Sequence, residues 1–320
     1  MEASDDELQT AIIESPRGMR VAVLNRGATI QSLEVATSGG PTSVVLSYPD
    51  AASYLADEYY LGATVGPFAN RIRDARFQLD DEVFIVDANE ASTGHCLHGG
   101  RQGLHRQVFD LDVDAEERRI ECSTELQDGE GGFPGRRLVR VAYQLLADNA
   151  LAIDFRVETD RDTVISLANH AYFNLGGALA EHDVEIRADA YTPVDPSGGP
   201  TGEVRDVDGS EFDLRRLTPV GDRRFDHNFV LDNSGSGLRH AATLRSLAGG
   251  LQLDLHTTQP GLQLYTGDYL GPPFRKRQGL CLEAQGFPDA PNQADFPSAR
   301  LAAGSEYWQR TIYEFSLLNN

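Results

Sequence analysis

Five short segments of the chain gather side chains able to move a proton or grip oxygen atoms. In Leu280-Cys281-Leu282-Glu283-Ala284-Gln285 a carboxyl sits inside an apolar run that reads as a buried strand. Glutamate is seldom buried without a task. Burial raises a carboxyl's pKa and a nearby cation lowers it, so a carboxylate placed this way suits general-base work. The competing reading is a glutamate on the solvent face of an edge strand. In Asn169-His170-Ala171-Tyr172-Phe173-Asn174 polar groups crowd the exit of the β-branched run Thr163-Val164-Ile165-Ser166. Burying them without partners is costly, so they form a dense internal network or a site in which His170 gives or takes a proton.

Three further segments offer hydrogen-bonding groups. Gly62 to Ile72 brings small residues and then Asn70 and Arg71, whose planar fork grips oxygen in a fixed orientation; a tight strand connection with a surface arginine is the alternative. His95-Cys96-Leu97-His98-Gly99-Gly100, with His105 nearby, suggests zinc at first sight. On a strand, however, His95 points away from both Cys96 and His98, and no second ligand cluster completes a metal site, so no metal is expected. Phe225-Asp226-His227-Asn228-Phe229 is either a turn or a strand whose aspartate binds two vicinal hydroxyls through its two oxygens.

The elements that must position these residues are strands. Met19 to Leu24, Leu138 to Leu145, Leu151 to Glu158, Leu251 to Leu255 and Thr311 to Phe315 are β-rich or alternate apolar and other residues. Leu138 to Glu158 reads as a hairpin turning at Asp148-Asn149, with one buried face. Ala51 to Tyr60 has room for a helical turn or two, capped by Pro49-Asp50. Many short strands with frequent turn signals predict an all-β protein, a sandwich or barrel with few short helices. No linker or repeat divides the chain, so residues 1–320 are expected to form one domain.

Composition narrows the function. The 320 residues are 40% hydrophobic, enough for a large core. The net charge of -21 repels nucleic acid and anionic membranes. No apolar stretch is long enough to span a bilayer, and the acidic Met1 to Glu7 is unlike a secretory signal. Three cysteines, Cys96, Cys122 and Cys281, are too few and too odd for a disulfide framework. A cytoplasmic protein is expected.

Taken in order, these segments resemble the aldose 1-epimerase (galactose mutarotase) family. Tyr191-Thr192-Pro193-Val194-Asp195, Pro200-Thr201-Gly202-Glu203, Phe212-Asp213 and Gln259 to Gly267 extend the resemblance over about Gly62 to Phe315. It implies a large antiparallel β-sandwich with a sugar cleft along one face. It implies anomer exchange of a free aldohexose such as glucose or galactose, without cofactor or metal. By position, Glu283 matches the general base, His170 the general acid and His98 a second active-site histidine. Arg71, Asp226 and Gln263 match sugar-binding positions, and Asn70 and Tyr265 lie in segments that line the cleft. The expected partner is a monosaccharide, and the protein is a monomer or homodimer. The chain departs from the family pattern at Pro67-Phe68, at His95 and at Ala284. These departures bear on substrate preference, with His95 bonding the sugar differently.

Two rival functions remain. An epimerase of hexose 6-phosphates would need clustered cations, which Arg136-Arg137 or Arg275-Lys276-Arg277 could supply. A non-catalytic sugar-binding module would present tryptophans for stacking, and only Trp308 exists.

Lys276 is the sole lysine. A GC-rich genome favours arginine codons, whereas a salt-rich cytoplasm favours acidic, lysine-poor surfaces because salt screens self-repulsion. If salt adaptation is the cause, the melting temperature rises with KCl; a flat thermal-melt series would assign the bias to genome composition.

Overall fold

The computed structural model describes residues 8–146, 149–231 and 237–318. The expected turn residue Asp148 and the acidic Met1 to Glu7 lie outside them. Two antiparallel sheets dominate. The larger has nine strands in the order Asp110–Asp114, Arg119–Leu126, Arg137–Leu145, Ala150–Thr159, Glu306–Leu317, Leu251–Thr257, Arg239–Ser246, Asp183–Ile186 and Thr218–Pro219. The smaller has six, ordered Tyr172–Phe173, Leu280–Gln285, Gly261–Tyr265, Asp226–Leu231, Ala188–Thr192 and Arg205–Asp206. A four-stranded sheet, Thr10–Glu14 to Gly40–Ser43, adds the N-terminal strands.

The reason is periodicity. Leu251, Leu253 and Leu255 are buried while Gln252, Asp254 and His256 between them are half-buried, the alternation of a strand with one face in a core. One apolar cluster joins the sheets: Val141, Ile153, Leu253 and Tyr313 from the larger sheet, Phe229, Leu262, Leu264, Leu280 and Leu282 from the smaller, and Val21, Ile30 and Leu33 from the N-terminal strands. This is the expected β-sandwich.

Two expectations need correction. The Arg137–Leu145 and Ala150–Thr159 hairpin forms, but the stretch from Ala150 to Phe155 is buried on both faces. Its outward face carries short Ala152 and Asp154, and Asp154 is covered by a bidentate pair with Arg310 (2.7 Å for each bond), so it is buried too. The helix expected over Ala51 to Tyr60 is one 3-10 turn, Ala52–Ala56. Asp50 does accept the Ser53 N–H (2.8 Å), yet the chain extends at Asp57. Among the described residues no α-helix is present, and no helix is long and apolar enough to cross a membrane.

The strand that matters most for the site, Leu280–Gln285, is buried along its whole length. Leu280, Leu282 and Ala284 enter the core; Cys281, Glu283 and Gln285 take the other face by alternation. Leu282→Ala should therefore lower stability by ~2–5 kcal/mol in denaturant unfolding, and a loss below ~1 kcal/mol would show that the strand is not anchored from the core side.

Candidate active site

The register of the smaller sheet assembles one wall of a cleft. Gln263 lies opposite Glu283 and Tyr265 opposite Cys281. Asp226 lies opposite Tyr265 and Asn228 opposite Gln263. The Phe225 to Phe229 segment is therefore a strand and not a turn: Phe225 and Phe229 are buried in the core, and Asp226 faces the cleft. Gln263 Nε2 donates to Asp226 Oδ1 (2.7 Å), which fixes the aspartate beside the glutamate.

Loops from the opposite side bring the histidines. Ala168–Asn169 pairs with Thr64–Val65, and Asn169 Nδ2 donates to Gly62 O (2.8 Å). Within this segment Asn169 and Asn174 build an internal network, while His170 and Tyr172 line the cleft. His170 Nε2 lies 3.9 Å from Glu283 Oε1, too far for a direct hydrogen bond and near enough for both atoms to reach neighbouring oxygens of one ligand. Its Nδ1 meets Cys281 Sγ at 3.5 Å.

His98 is held by a reciprocal clasp. Arg71–Ile72 pairs with Cys96–Leu97, and just beyond this pair Asn70 and His98 both take left-handed backbone conformations (φ 62° and 53°). Such conformations cost roughly 1–3 kcal/mol each for a non-glycine residue. Three contacts offset that. The His98 N–H donates to Asn70 O (3.0 Å), the Asn70 N–H donates to His98 Nδ1 (3.1 Å), and the Arg71 N–H donates to Asn70 Oδ1 (2.8 Å). Because Nδ1 accepts, the neutral His98 ring carries its hydrogen on Nε2 and is a donor there.

Arg71 grips Glu90 through both Nε and Nη2 (2.8 Å each). This aims the guanidinium and leaves its Nη1 edge for another partner. The cleft holds about 600 Å³ and is lined by Asn70, Arg71, His98, His170, Asp226, Tyr265 and Glu283. That volume falls in the ~300–1,000 Å³ range of small-molecule sites. Gln263 supports Asp226 and does not line the cleft.

Burial sets the charges. It raises the Glu283 carboxyl well above its ordinary range; nearby Asp226 adds to the rise and Arg71 opposes it. Burial lowers His170 to about 4 and pushes His98 well down, helped by its histidine neighbours. The site therefore favours neutral forms, and the Glu283–His170 pair keeps one proton over a wide pH interval.

His98, His170 and Glu283 place ligating atoms within 4.8 Å of one another, the one such group among the described residues. The donor chemistry does not suit a metal. A cation on the ring of His98 needs the Nε2 lone pair, and the Asn70 N–H holds the opposite tautomer.

Several residues do work that their sequence does not announce. Glu90 orients Arg71. Tyr60, itself left-handed (φ 56°), packs its ring against His98 and His105, with centroids 4.6 and 4.7 Å away. The Asp195 to Gly198 loop forms the far wall of the cleft. His95 does not face the cleft as expected. It accepts the Asp74 N–H at Nδ1 (3.1 Å) and meets Ser197 Oγ at 2.9 Å, so it braces that wall. Phe68 and Ala284, the other departures from the family pattern, are packed in apolar clusters.

The rivals lose their residues. Arg137 is fully buried, with Nη2 on Gln127 O (2.7 Å). Arg136 pairs with Glu125, and Arg277 caps the Arg223 and Gly221 carbonyls. None of these, nor Arg275 or Lys276, lines the cleft. Trp308 lies on Glu306–Leu317 in the larger sheet, away from the cleft.

The two-sheet sandwich carries a buried Glu–His pair facing a polar cleft, and comparison with known proteins places the chain in a family. The aldose 1-epimerase family model matches residues 9–314. Galactose mutarotase of Bos taurus is 37% identical, over 93% of this chain and 92% of the relative. Aldose 1-epimerase of Escherichia coli (strain K12) is 33% identical with the same coverage. An aldose epimerase homologue from C. elegans superposes with a TM-score of 0.91 at 27% identity, covering 98% of this chain and 100% of that one. Galactose 1-epimerase from Lactobacillus acidophilus gives 0.87 at 27% identity, covering 100% and 98%. The chain belongs to the aldose 1-epimerase family.

Releasing Arg71 from Glu90 tests the electrostatics of the cleft. Glu90→Gln keeps the shape and removes the charge, and is expected to weaken sugar binding about tenfold, read as a rise in KM, with a lowered melting temperature because Arg71 loses its bidentate partner. An unaltered KM would show that Glu90 is dispensable.

Proposed function

We propose that this enzyme interconverts the α and β anomers of a free aldohexose such as glucose or galactose, with Glu283 as base and His170 as acid. The observation that carries the reading is the buried Glu283–His170 pair, 3.9 Å apart and not hydrogen-bonded, at the floor of a cleft with donors on its walls. Opening the ring requires the anomeric hydroxyl to lose a proton while the ring oxygen gains one. Glu283 takes the hydroxyl proton and His170 Nε2–H gives one to the ring oxygen. The C1–O5 bond breaks and an open aldehyde forms. Rotation about C1–C2 turns the other carbonyl face to the ring oxygen, and the same transfers in reverse close the ring.

The one-proton state of the pair suits this exchange. In the empty cleft burial favours the neutral forms. Sugar hydroxyls donating to Glu283, together with Arg71, favour the carboxylate and so move the shared proton to His170. His98 Nε2–H and Arg71 orient sugar oxygens and stabilise developing negative charge. Asp226, held by Gln263, accepts from hydroxyls, and Asn70 and Tyr265 complete the walls. The shared apolar core supports a single domain over the chain. The free, buried thiols of Cys96, Cys122 and Cys281 support a cytoplasmic setting, and the net charge of -21 supports a protein without nucleic-acid or anionic-membrane partners, working as a monomer or homodimer.

Polarimetry of fresh α-D-glucose and α-D-galactose tests this. The wild type should speed equilibration, and Glu283→Gln should slow turnover on the order of 10²–10⁴-fold while sugar binding persists. A variant that keeps most of its activity removes Glu283 as base. The pH profile of kcat/KM should be bell-shaped. Below about 4, the value for His170, the pair gains a second proton and has no base. Above the raised Glu283 titration it has no proton to give. The same variant should melt higher than wild type in alkaline buffer, because a carboxyl whose folded pKa is raised loses stability as pH climbs above its unfolded value. A profile without an alkaline limb would contradict the pairing.

A further inference from the structure

Beside the cleft, along the same face of the smaller sheet, lies a row of polar atoms that the proposed chemistry does not use. Glu283 Oε2, Gln263 Oε1, Asn228 Oδ1, and both Oε1 and Nε2 of Gln285 have no protein partner. Their residues are 2%, 2%, 1% and 0% exposed. Buried polar groups are nearly always hydrogen-bonded, and these share one face of three adjoining strands. Gln285 follows Glu283 by one strand repeat, about 7 Å along that face. Gln263 is opposite Glu283, and Gly261 is opposite Gln285. Gly261 leaves room there: a Cβ at that position would lie 2.3 Å from Asn228 Oδ1, so the Asn228 amide leans into the space where a side chain would stand.

The atom types decide what this row takes. The amide orientations are set, since Gln263 Nε2 donates to Asp226 (2.7 Å) and Asn228 Nδ2 points to Thr192 Oγ1 (3.4 Å). Oxygens therefore outnumber donors, and oxygens cannot bond one another without hydrogens between them. A sugar in the cleft can reach Glu283 but not Asn228 or Gln285, which do not line the cleft. A water molecule brings two hydrogens and fits a small polar space with several partners.

We infer that a buried water site lies beside Glu283, bounded by Gln263, Asn228 and Gln285, and that Gln285 acts through it as a positioning residue for the Glu283 carboxyl. Water held there anchors Oε2, so that Oε1 keeps its place opposite His170. It also gives the carboxylate hydrogen bonds that favour its charged form. The positioning role rests on Glu283 being the base; the water site does not.

Two measurements test this. A high-resolution crystal structure of the wild type should show ordered water within hydrogen-bond reach of both Glu283 Oε2 and Gln285 or Asn228. Gln285→Met keeps the volume and removes the amide. It should lower kcat roughly ten- to a hundredfold, the usual size for a residue that supports a reacting group. KM should stay within about twofold, and the alkaline limb of kcat/KM should move to higher pH, because a carboxylate stripped of hydrogen bonds ionises less readily. Absence of water at that position overturns the inference. So does a Gln285→Met pH profile that superimposes on wild type, whatever its melting temperature. If that variant does not fold, the crystal structure decides alone. A wild type without mutarotase activity would sink the proposed function, while the density would still decide the water site.

Discussion

Holding a carboxyl away from water requires a backbone that cannot yield, and the Leu280–Gln285 strand is fixed from both sides. Leu280, Leu282 and Ala284 are locked into the sandwich core, and neighbouring strands pair with it on either edge. Glu283 cannot swing to solvent without pulling apolar side chains out of that core. The unfavourable burial of one acid is thus carried by the packing of a whole sheet. The loops that bring His98, His170 and Arg71 have only to meet a wall that is already rigid.

The cleft is built by opposing fields. Asp226 and burial push Glu283 towards its neutral form, and Arg71 pulls the other way. Arg71 is itself divided between Glu90 and the cleft. Each charged group is therefore partly compensated, which lets a small change in what occupies the cleft decide where one proton resides. Fully paired groups would be inert, and unpaired ones would not stay buried.

How much of this is legible in the sequence follows from the range of each interaction. Glu283 stands out because a lone acid in an apolar run violates a local rule, and His170 because polar residues crowd a strand exit. The alternating strands, and hence the sandwich, read directly from period two. Glu90 gives no sign: Ala88-Asn89-Glu90-Ala91 follows no pattern, and its role exists only once the loop closes on Arg71. His95 looks like a site residue because it neighbours His98, yet its side chain braces Asp74 and Ser197 instead. The doubly buried stretch from Ala150 to Phe155 breaks the one-face expectation because what covers Asp154 is an arginine distant in sequence, Arg310.

The Asn70–His98 clasp has a consequence for how this site can change. Each residue supplies the bond that makes the other's left-handed backbone tolerable, so neither conformation is justified alone. Substitutions at the two positions should be strongly non-additive: the first removes the reason for the second, and little is left for it to damage. Positions 70 and 98 then behave as one inherited unit. A variant enzyme can replace both together or neither, and a loop carrying a new histidine cannot be transplanted into this cleft unless the residue that receives its ring comes with it.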